Sequence, residues 1–286
     1  MAVTVPGGSW LDGRCCRDVT LRPLRGSDEA FLHEAGTSLL PVQLATALLA
    51  RCVEQLGAER AITPNLINRL TVGDREALML QLRRLAFGDR MPCTARCPDP
   101  VCGEQLEWDL EIKDLLQPPY TDSQEVYETS ISAGGGDEFS VRFRLPTGAD
   151  QEAAAAQALD DVDAAADLIF RRCVEAIATP DGEPAEPPPE TVRARVPDLM
   201  SEFDPQAELS LSLTCPACGG TFSTVLDASA YFFQEVDQRA DDLYREVHTL
   251  AFHYHWSESE IMTMTTEKRH RYLGLLADAL TEGAVP

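Results

Sequence analysis

"VTLRPLRGSDEAFL" (19–32) and "VRFRLPTGADQEAA" (141–154) are two versions of one pattern. Each reads as a short alternating strand, a Gly-x-Asp turn and the start of a helix. Gly26 matches Gly148 and Asp28 matches Asp150, both at a spacing of 122 residues. Two further matches follow in the same order. "LLARCVEQLG" (48–57) resembles "IFRRCVEAIA" (169–178), with Cys52 and Cys173 at a spacing of 121. "CPDPVCGEQLEWDLEI" (97–112) resembles "CPACGGTFSTVLDA" (215–228), pairing Cys97 with Cys215 and Cys102 with Cys218. A collinear order with a slowly drifting spacing is what duplication followed by loop-length change produces. The expected fold class is α+β: two duplicated strand-helix-helix-knuckle units and a C-terminal helical region. The boundaries expected are an N-terminal extension at 1–17, unit 1 at 18–118, a linker at 119–138, unit 2 at 139–228 and C-terminal helices at 229–286.

Hydrophobic periodicity places the elements. "FSVRFRL" (139–145), "ELSLSLT" (208–214) and "QLEWDLEI" (105–112) alternate apolar and polar residues, as half-buried strands do. Residues 41–57 and 70–89 read as helices, the second opened by a capping box of Thr71 and Asp74 and stopped by Gly88. In unit 2, residues 153–166 and then 167–177 read as helical, with Leu168, Ile169, Cys173 and Ile177 on one face. "ISAGGGDE" (131–138) reads as a turn, and the proline-rich, acidic "TPDGEPAEPPPE" (179–190) as a flexible surface loop. Within 179–207 unit 2 keeps little of the middle helix of unit 1. The C-terminal region has no counterpart in the repeat. There Val236, Ala240, Leu243, Val247, Leu250 and Tyr254 step by three and four, a heptad-like seam too short for an independent coiled coil and expected to pack on the body or on a partner. Val236, Leu243, Val247, Leu250, Tyr254 and Trp256 are the candidate partner-binding residues. Ser257 and Glu260 form a further capping box, and Thr265 or Thr266 opens a last helix.

The knuckle "CPACG" (215–219) supplies two thiolates, whereas a tetrahedral zinc takes four ligands. No second pair follows it closely, but the repeat supplies one in the other unit. Cys97 and Cys102 (C-x4-C) with Cys215 and Cys218 (C-x2-C) would meet if the two knuckle hairpins pair. The reading is one split zinc ribbon with one structural zinc per chain, since four thiolates leave no open coordination position. Its binding energy would be folding energy. Cys93, just upstream, is a possible substitute for Cys97. A redox CxxC is the weaker reading, because that chemistry needs a strand-to-helix setting and strands flank this motif. Cys52 and Cys173, mid-face among apolar residues, read as core cysteines. Nine cysteines in a chain read as cytoplasmic point to metal or free thiols before disulfides.

The charge narrows the function. Lys+Arg 24 against Asp+Glu 47 leaves a formal net charge of −23, which repels phosphate backbones and argues against a nucleic-acid reader. No apolar run approaches membrane-spanning length. No P-loop, GxGxxG, GxSxG or HExxH is present, so no enzyme is expected. "HYH" (253–255) tempts a metal reading, but residues two apart on a helix point in nearly opposite directions. The "YHW" segment reads as packing in the turn between two helices.

Three stretches carry a family likeness: "RLTVGDREALMLQLRRLAFGD" followed by the first knuckle, "DPQAELSLSLTCPACGGTF", and "REVHTLAFHYHWSESEIMTMTTEKRHRYLGLL". From about Asp18 to Leu280 the chain resembles phage-type baseplate proteins of contractile-tail gene clusters, a family related to the baseplate hub assembly chaperone of T-even phages. The resemblance implies a cytoplasmic, non-enzymatic factor that helps build the baseplate of a phage tail or contractile injection system, with hub or wedge proteins as partners. Two alternatives stand beside it: a permanent structural baseplate subunit, and a zinc-ribbon protein associated with nucleic acid.

Overall fold

A computed structural model describes residues 1–11, 13–133 and 137–282. The chain begins with a hairpin, β1 (Ala2–Leu11) and β2 (Arg14–Leu21), followed by helices α1 (Gly26–Ala35) and α2 (Pro41–Cys52). Strand β3 (Val53–Leu56) returns to pair with β2, giving the antiparallel order β1-β2-β3. A short helix α3 (Pro64–Ile67) and the long α4 (Val72–Phe87) lead to the hairpin β4 (Arg90–Arg96) and β5 (Gln105–Glu111), and then to α5 (Ile112–Leu115). The course is then repeated: β6 (Tyr127–Ser132), β7 (Glu138–Phe143), α6 (Gly148–Ala158), α7 (Val162–Cys173) and β8 (Val174–Ala178), with sheet order β6-β7-β8. Helix α8 (Glu190–Phe203) precedes the hairpin β9 (Leu209–Thr214) and β10 (Thr221–Leu226). Four helices close the chain: α9 (Ala228–Asp237), α10 (Ala240–Tyr254), α11 (Glu258–Met262) and α12 (Thr266–Glu282).

The two halves match at the level of single bonds. Asp28 is fully buried and held by Arg22, through two bonds of 2.6 and 3.1 Å, and by Arg51 at 2.9 Å. Asp150, equally buried, is held by Arg144 at 2.6 and 3.0 Å and by Arg172 at 2.6 Å. Each carboxylate also accepts the N–H three residues before it, from Arg25 and Thr147, which caps its helix. The guanidinium groups hold both carboxyls below the usual carboxylate range despite the burial. The register of β2 against β3 slips between Thr20 and Leu21, and that of β7 against β8 slips between Arg142 and Phe143, again 122 residues on. Cys52 and Cys173 are fully buried, as core cysteines should be, and burial pushes both thiols up to about 12.

Several elements differ from their sequence reading. The helix expected at 41–57 ends at Cys52, because Val53 and its neighbours pair with β2. Val174–Ala178 does the same, so Ile177 lies on a strand. The break between the two unit 2 helices falls at Asp161, whose carboxylate caps α7 through Ala164 N–H, and not at 166. Helix α8 occupies the stretch where little of a middle helix was expected, starting directly after the proline-rich loop. Residues 1–17, read as an extension, carry β1 and the start of β2, and the stretch read as a linker carries β6. Pro6, Gly7 and Gly8 obscure the alternation of β1, whose ladder to β2 breaks between Thr4 and Ser9. The tip of the turn read at 131–138, residues 134–136, lies outside the described residues, as does the end of the C-terminal stretch at 283–286.

The C-terminal region does have a counterpart: α11–α12 repeats α3–α4 at a constant spacing of 194 residues. Thr63 and Ser257 each accept the N–H three residues on, as do Thr71 and Thr265. Ile67 and Ile261 are fully buried, and Arg75 and Arg269 are buried arginines on the first turn of the long helix. Each module receives one strand-to-helix turn. Gly148 N–H donates to Leu70 O and Gly26 N–H to Met264 O, both at 3.0 Å. The two glycines are needed for this approach. A Cβ at Gly148 would lie 2.5 Å from Arg75 Nη1, and one at Gly26 would lie 2.9 Å from Met262 Sδ.

Asp74 ties β1 to this frame. The expected capping box is only half formed: Thr71 caps the helix, but the Asp74 carboxyl turns away and accepts N–H bonds from Gly7 and Gly8 at 2.7 and 2.8 Å. Burial, helped by the charge of neighbouring Asp204, pushes Asp74 up to about 7, although the two N–H bonds and Arg17 act to lower it. An unfolded aspartate titrates near about 4. The folded chain therefore holds a proton that the unfolded chain has lost over this range. The stability contributed by this group is complete below about 4 and disappears as pH rises through about 7. Between pH 5 and 7 we expect the wild type to lose stability relative to Asp74→Asn, by up to about 1.4 kcal/mol per pH unit. Denaturant unfolding of both proteins across that range checks this; parallel pH profiles would contradict it.

Candidate metal centre

The two knuckles are built alike. Cys97 N–H donates to Glu104 O at 2.8 Å and Cys215 N–H to Gly220 O at 2.9 Å, closing the ends of the β4–β5 and β9–β10 hairpins. Each turn then needs a left-handed residue directly after its second cysteine. Gly103 and Gly219, at φ +57 and +73, supply it without steric cost. The two extra residues of "CPDPVC" are absorbed inside the first turn, where Cys102 and Gly103 N–H both donate to Asp99 O.

These hairpins come from distant parts of the chain and meet through an apolar face. Leu80, Met91, Ile112, Leu115, Leu209 and Ala228 form one buried cluster with Cys93. A second, smaller cluster of Cys97, Leu106 and Cys215 has Trp108 and Phe222 packed against it. The meeting brings Cys97, Cys102, Cys215 and Cys218 together, with all four Sγ atoms within 4.8 Å of one another. Cys97 Sγ lies 3.7 Å from Cys218 Sγ, and Cys102 Sγ lies 3.7 Å from Cys215 Sγ. A disulfide would place the sulfurs at about 2.05 Å. A tetrahedron with metal–sulfur bonds of about 2.3 Å has edges of about 3.8 Å. These two separations match the edges of such a tetrahedron, and the four sulfurs lie close enough to share one metal ion. Cys215 is fully buried and Cys218 is exposed, so the centre is open on one side. Cys218 N–H, the largest influence on Cys215, draws its thiol down to about 7, which makes a thiolate accessible at neutral pH.

Cys93 stands apart from this set. It lies within β4, opposite Trp108, with its Sγ 3.6 Å from Met91 O. The strand's alternation points it into the apolar cluster, so Cys97 is the residue that joins the four. His253 and His255 do not join a metal-capable group among the described residues. His255 ends α10 in the left-handed conformation; beside it Tyr254 stacks on Trp256 and both meet Tyr272 edge to face, with ring centres 4.6 to 5.9 Å apart.

The seam offered as a partner surface is used inside the molecule. It is not one helix: the chain breaks at Gln238–Arg239 between α9 and α10. Val236 packs into the main core. Leu243, Val247 and Leu250 are buried with Ala30 and Ile261, and Tyr254 and Trp256 pack against the same cluster. The periodicity marked a buried face, and what covers it is the chain's own α1, α11 and α12. The side chains that the repeat aligned without a role, Asp28 and Asp150, are the anchors of both units; the recurring Arg-x5-Asp and Arg-Cys spacings were their signal.

A family model described as T4 bacteriophage base plate protein matches residues 18–187, more than half of the chain. The matched stretch includes the first knuckle and most of unit 2, and stops short of Cys215, Cys218 and the C-terminal helices. No curated protein and no solved structure matches the chain.

Proposed function

The chain belongs to the T4 bacteriophage base plate protein family, and from that premise we propose that it acts without catalysis, as an assembly factor for the baseplate of a contractile phage tail or contractile injection system. Its partners in this reading are hub or wedge proteins, met in the cytoplasm before docking. The family match carries the proposal. The net charge of −23 supports it, since it suits a dispersed carrier of other proteins and repels nucleic acid. No described helix is long and apolar enough to cross a membrane.

We further propose that the two units arose by duplication and that the four cysteines hold one zinc. The matched Asp–Arg clusters and strand registers support the first proposal. The convergence of four thiols supports the second, because tetrahedral S4 sites suit zinc, with iron the main competitor. Zinc here would supply a fixed crosslink between the hairpins and no reactive position.

Mass spectrometry of purified particles separates an assembly factor from a permanent subunit. We expect the chain to co-purify with hub or wedge proteins from cells and to be absent from finished particles. Stoichiometric presence in the particle would establish the subunit reading instead. Deletion that leaves sheathed particles intact would remove both.

A further inference from the structure

The Asp–Arg clusters of the two units differ in one respect. In unit 1 the guanidinium of Arg51 has two further contacts beyond its Nε bond to Asp28: Nη2 donates to Ser27 O at 3.2 Å, and the ring of Phe31 lies 4.7 Å from its carbon. At the matching positions of unit 2 stand Ala149 and Ala153. Arg172 bonds Asp150 through Nε, while its two terminal nitrogens have no hydrogen-bond partner among the described residues.

Beside Arg172 lies a cavity of about 290 Å³ between β1, the turn before α4 and the start of α6. Arg172 and Arg144 line it from unit 2, and Arg69 from unit 1. Arg69 donates through Nη2 to Trp10 O at 2.9 Å, and its Nε and Nη1 have no partner among the described residues. Ser9 forms part of the wall on the β1 side. It is 3% exposed, and its hydroxyl has no hydrogen-bond partner in the described structure. A buried hydroxyl without a partner carries an unfavourable desolvation cost, which a bound polar group would relieve. The β1 bulge puts it there, because the ladder resumes at Ser9 only after Gly7 and Gly8 have been drawn away to Asp74. Three guanidinium groups face two carboxylates at this wall, Asp150 and Glu125, leaving one net positive charge in a strongly acidic chain.

We propose that this cavity binds a compact oxyanion, a phosphate group or a carboxylate, held by the free guanidinium nitrogens of Arg172 and Arg69 and by the Ser9 hydroxyl. Planar guanidinium forks suit both ions, and bonds between charged partners are the stronger class. The proposal goes beyond the assembly role and does not depend on the metal centre.

Calorimetric titration of the full chain with inorganic phosphate and, separately, with glutarate tests it, at constant ionic strength with chloride as the reference. We expect saturable binding that weakens about tenfold in Arg172→Gln and in Arg69→Gln, the loss of about one charge-assisted hydrogen bond each. Arg69 lies outside the Asp150 cluster, so Arg69→Gln keeps the test valid if Arg172→Gln disturbs the fold. Tighter binding of phosphate would identify a free or esterified phosphate as the source; tighter binding of glutarate would identify an acidic side chain of a partner polypeptide. Absence of saturable binding for both anions, or wild-type affinity in both variants, overturns the proposal.

Discussion

Cys102→Ser and Cys215→Ser are each expected to abolish metal binding in a chain that otherwise carries about one zinc per molecule. Neither knuckle can complete a tetrahedron by itself, since the 3.7 Å contacts run between the hairpins, Cys97 to Cys218 and Cys102 to Cys215. Structural zinc contributes about 10–16 kcal/mol in small zinc-binding peptides, comparable to the entire stability of an ordinary domain. Here the consequence is regional. The main core and the unit 2 core contain none of the four cysteines, so these regions retain their packing while the hairpins separate. We expect hydrogen exchange to rise sharply over 90–111 and 209–226, with a large fall in Tm. Cys93→Ser is expected to keep its zinc, because Cys93 points away from the cluster. Metal analysis decides each point. Zinc retained in Cys102→Ser would refute the shared site; iron in place of zinc would change the ion and leave the geometry standing.

Arg269→Met is the second large expected effect. Arg269 is 1% exposed and docks unit 1 onto the C-terminal module. It donates to both carboxylate oxygens of Glu29 at 2.8 and 3.0 Å, to Glu246 at 2.8 Å and to Met264 O at 3.1 Å. Removing one member of a buried ion pair strands the other, at a cost of about 3–5 kcal/mol. Glu246 keeps His270 at 2.6 Å, whereas Glu29 keeps only the Thr266 hydroxyl at 2.8 Å and loses its bonded cation, so the penalty falls mainly on Glu29. The double variant Arg269→Met/Glu29→Gln should recover much of the loss, because it removes the uncompensated charge. Urea unfolding of the two single variants and the double variant measures the coupling. A cost below about 1 kcal/mol, as for an exposed pair, would mean that this contact does not dock the module.

Arg75 shows why such a role was hard to read beforehand. It matches Arg269 in position, yet its partners are Asn68, Thr46 and the carbonyl of Val42, with no carboxylate in direct contact among the described residues. Matched residues in repeated modules can keep their burial and exchange their chemistry. Residue spacing reports the first and not the second.

What could be read along the chain was whatever depends on near neighbours. Alternation marked β5, β7 and β9, because a strand with one wet face must alternate. Ser257 and Glu260 capped α11 as their spacing required. The CG pairs announced two knuckles, and the repeat indicated which cysteines belong together. Helix ends were misread at Cys52 and Cys173, where residues with helical neighbours are taken up by a strand ladder formed more than thirty residues away.

The opposite limit applies to the C-terminal seam and to β1. Apolar spacing on α10 determined that one face would be covered, and left open by what. The tertiary structure decided that α1, α11 and α12 cover it, so Leu243, Val247 and Leu250 are core residues. Pro6, Gly7 and Gly8 hide a strand because their value lies in distant bonds, those of Gly7 and Gly8 to Asp74 and that of Pro6 O from Tyr120 N–H. Local sequence encodes periodicity, turns and ligand type, which depend on short-range sterics and hydration. Which covered face meets which, and whether two half-sites close into one tetrahedron, depends on contacts between residues as far apart as 29 and 269. Those contacts exist only once the chain has folded.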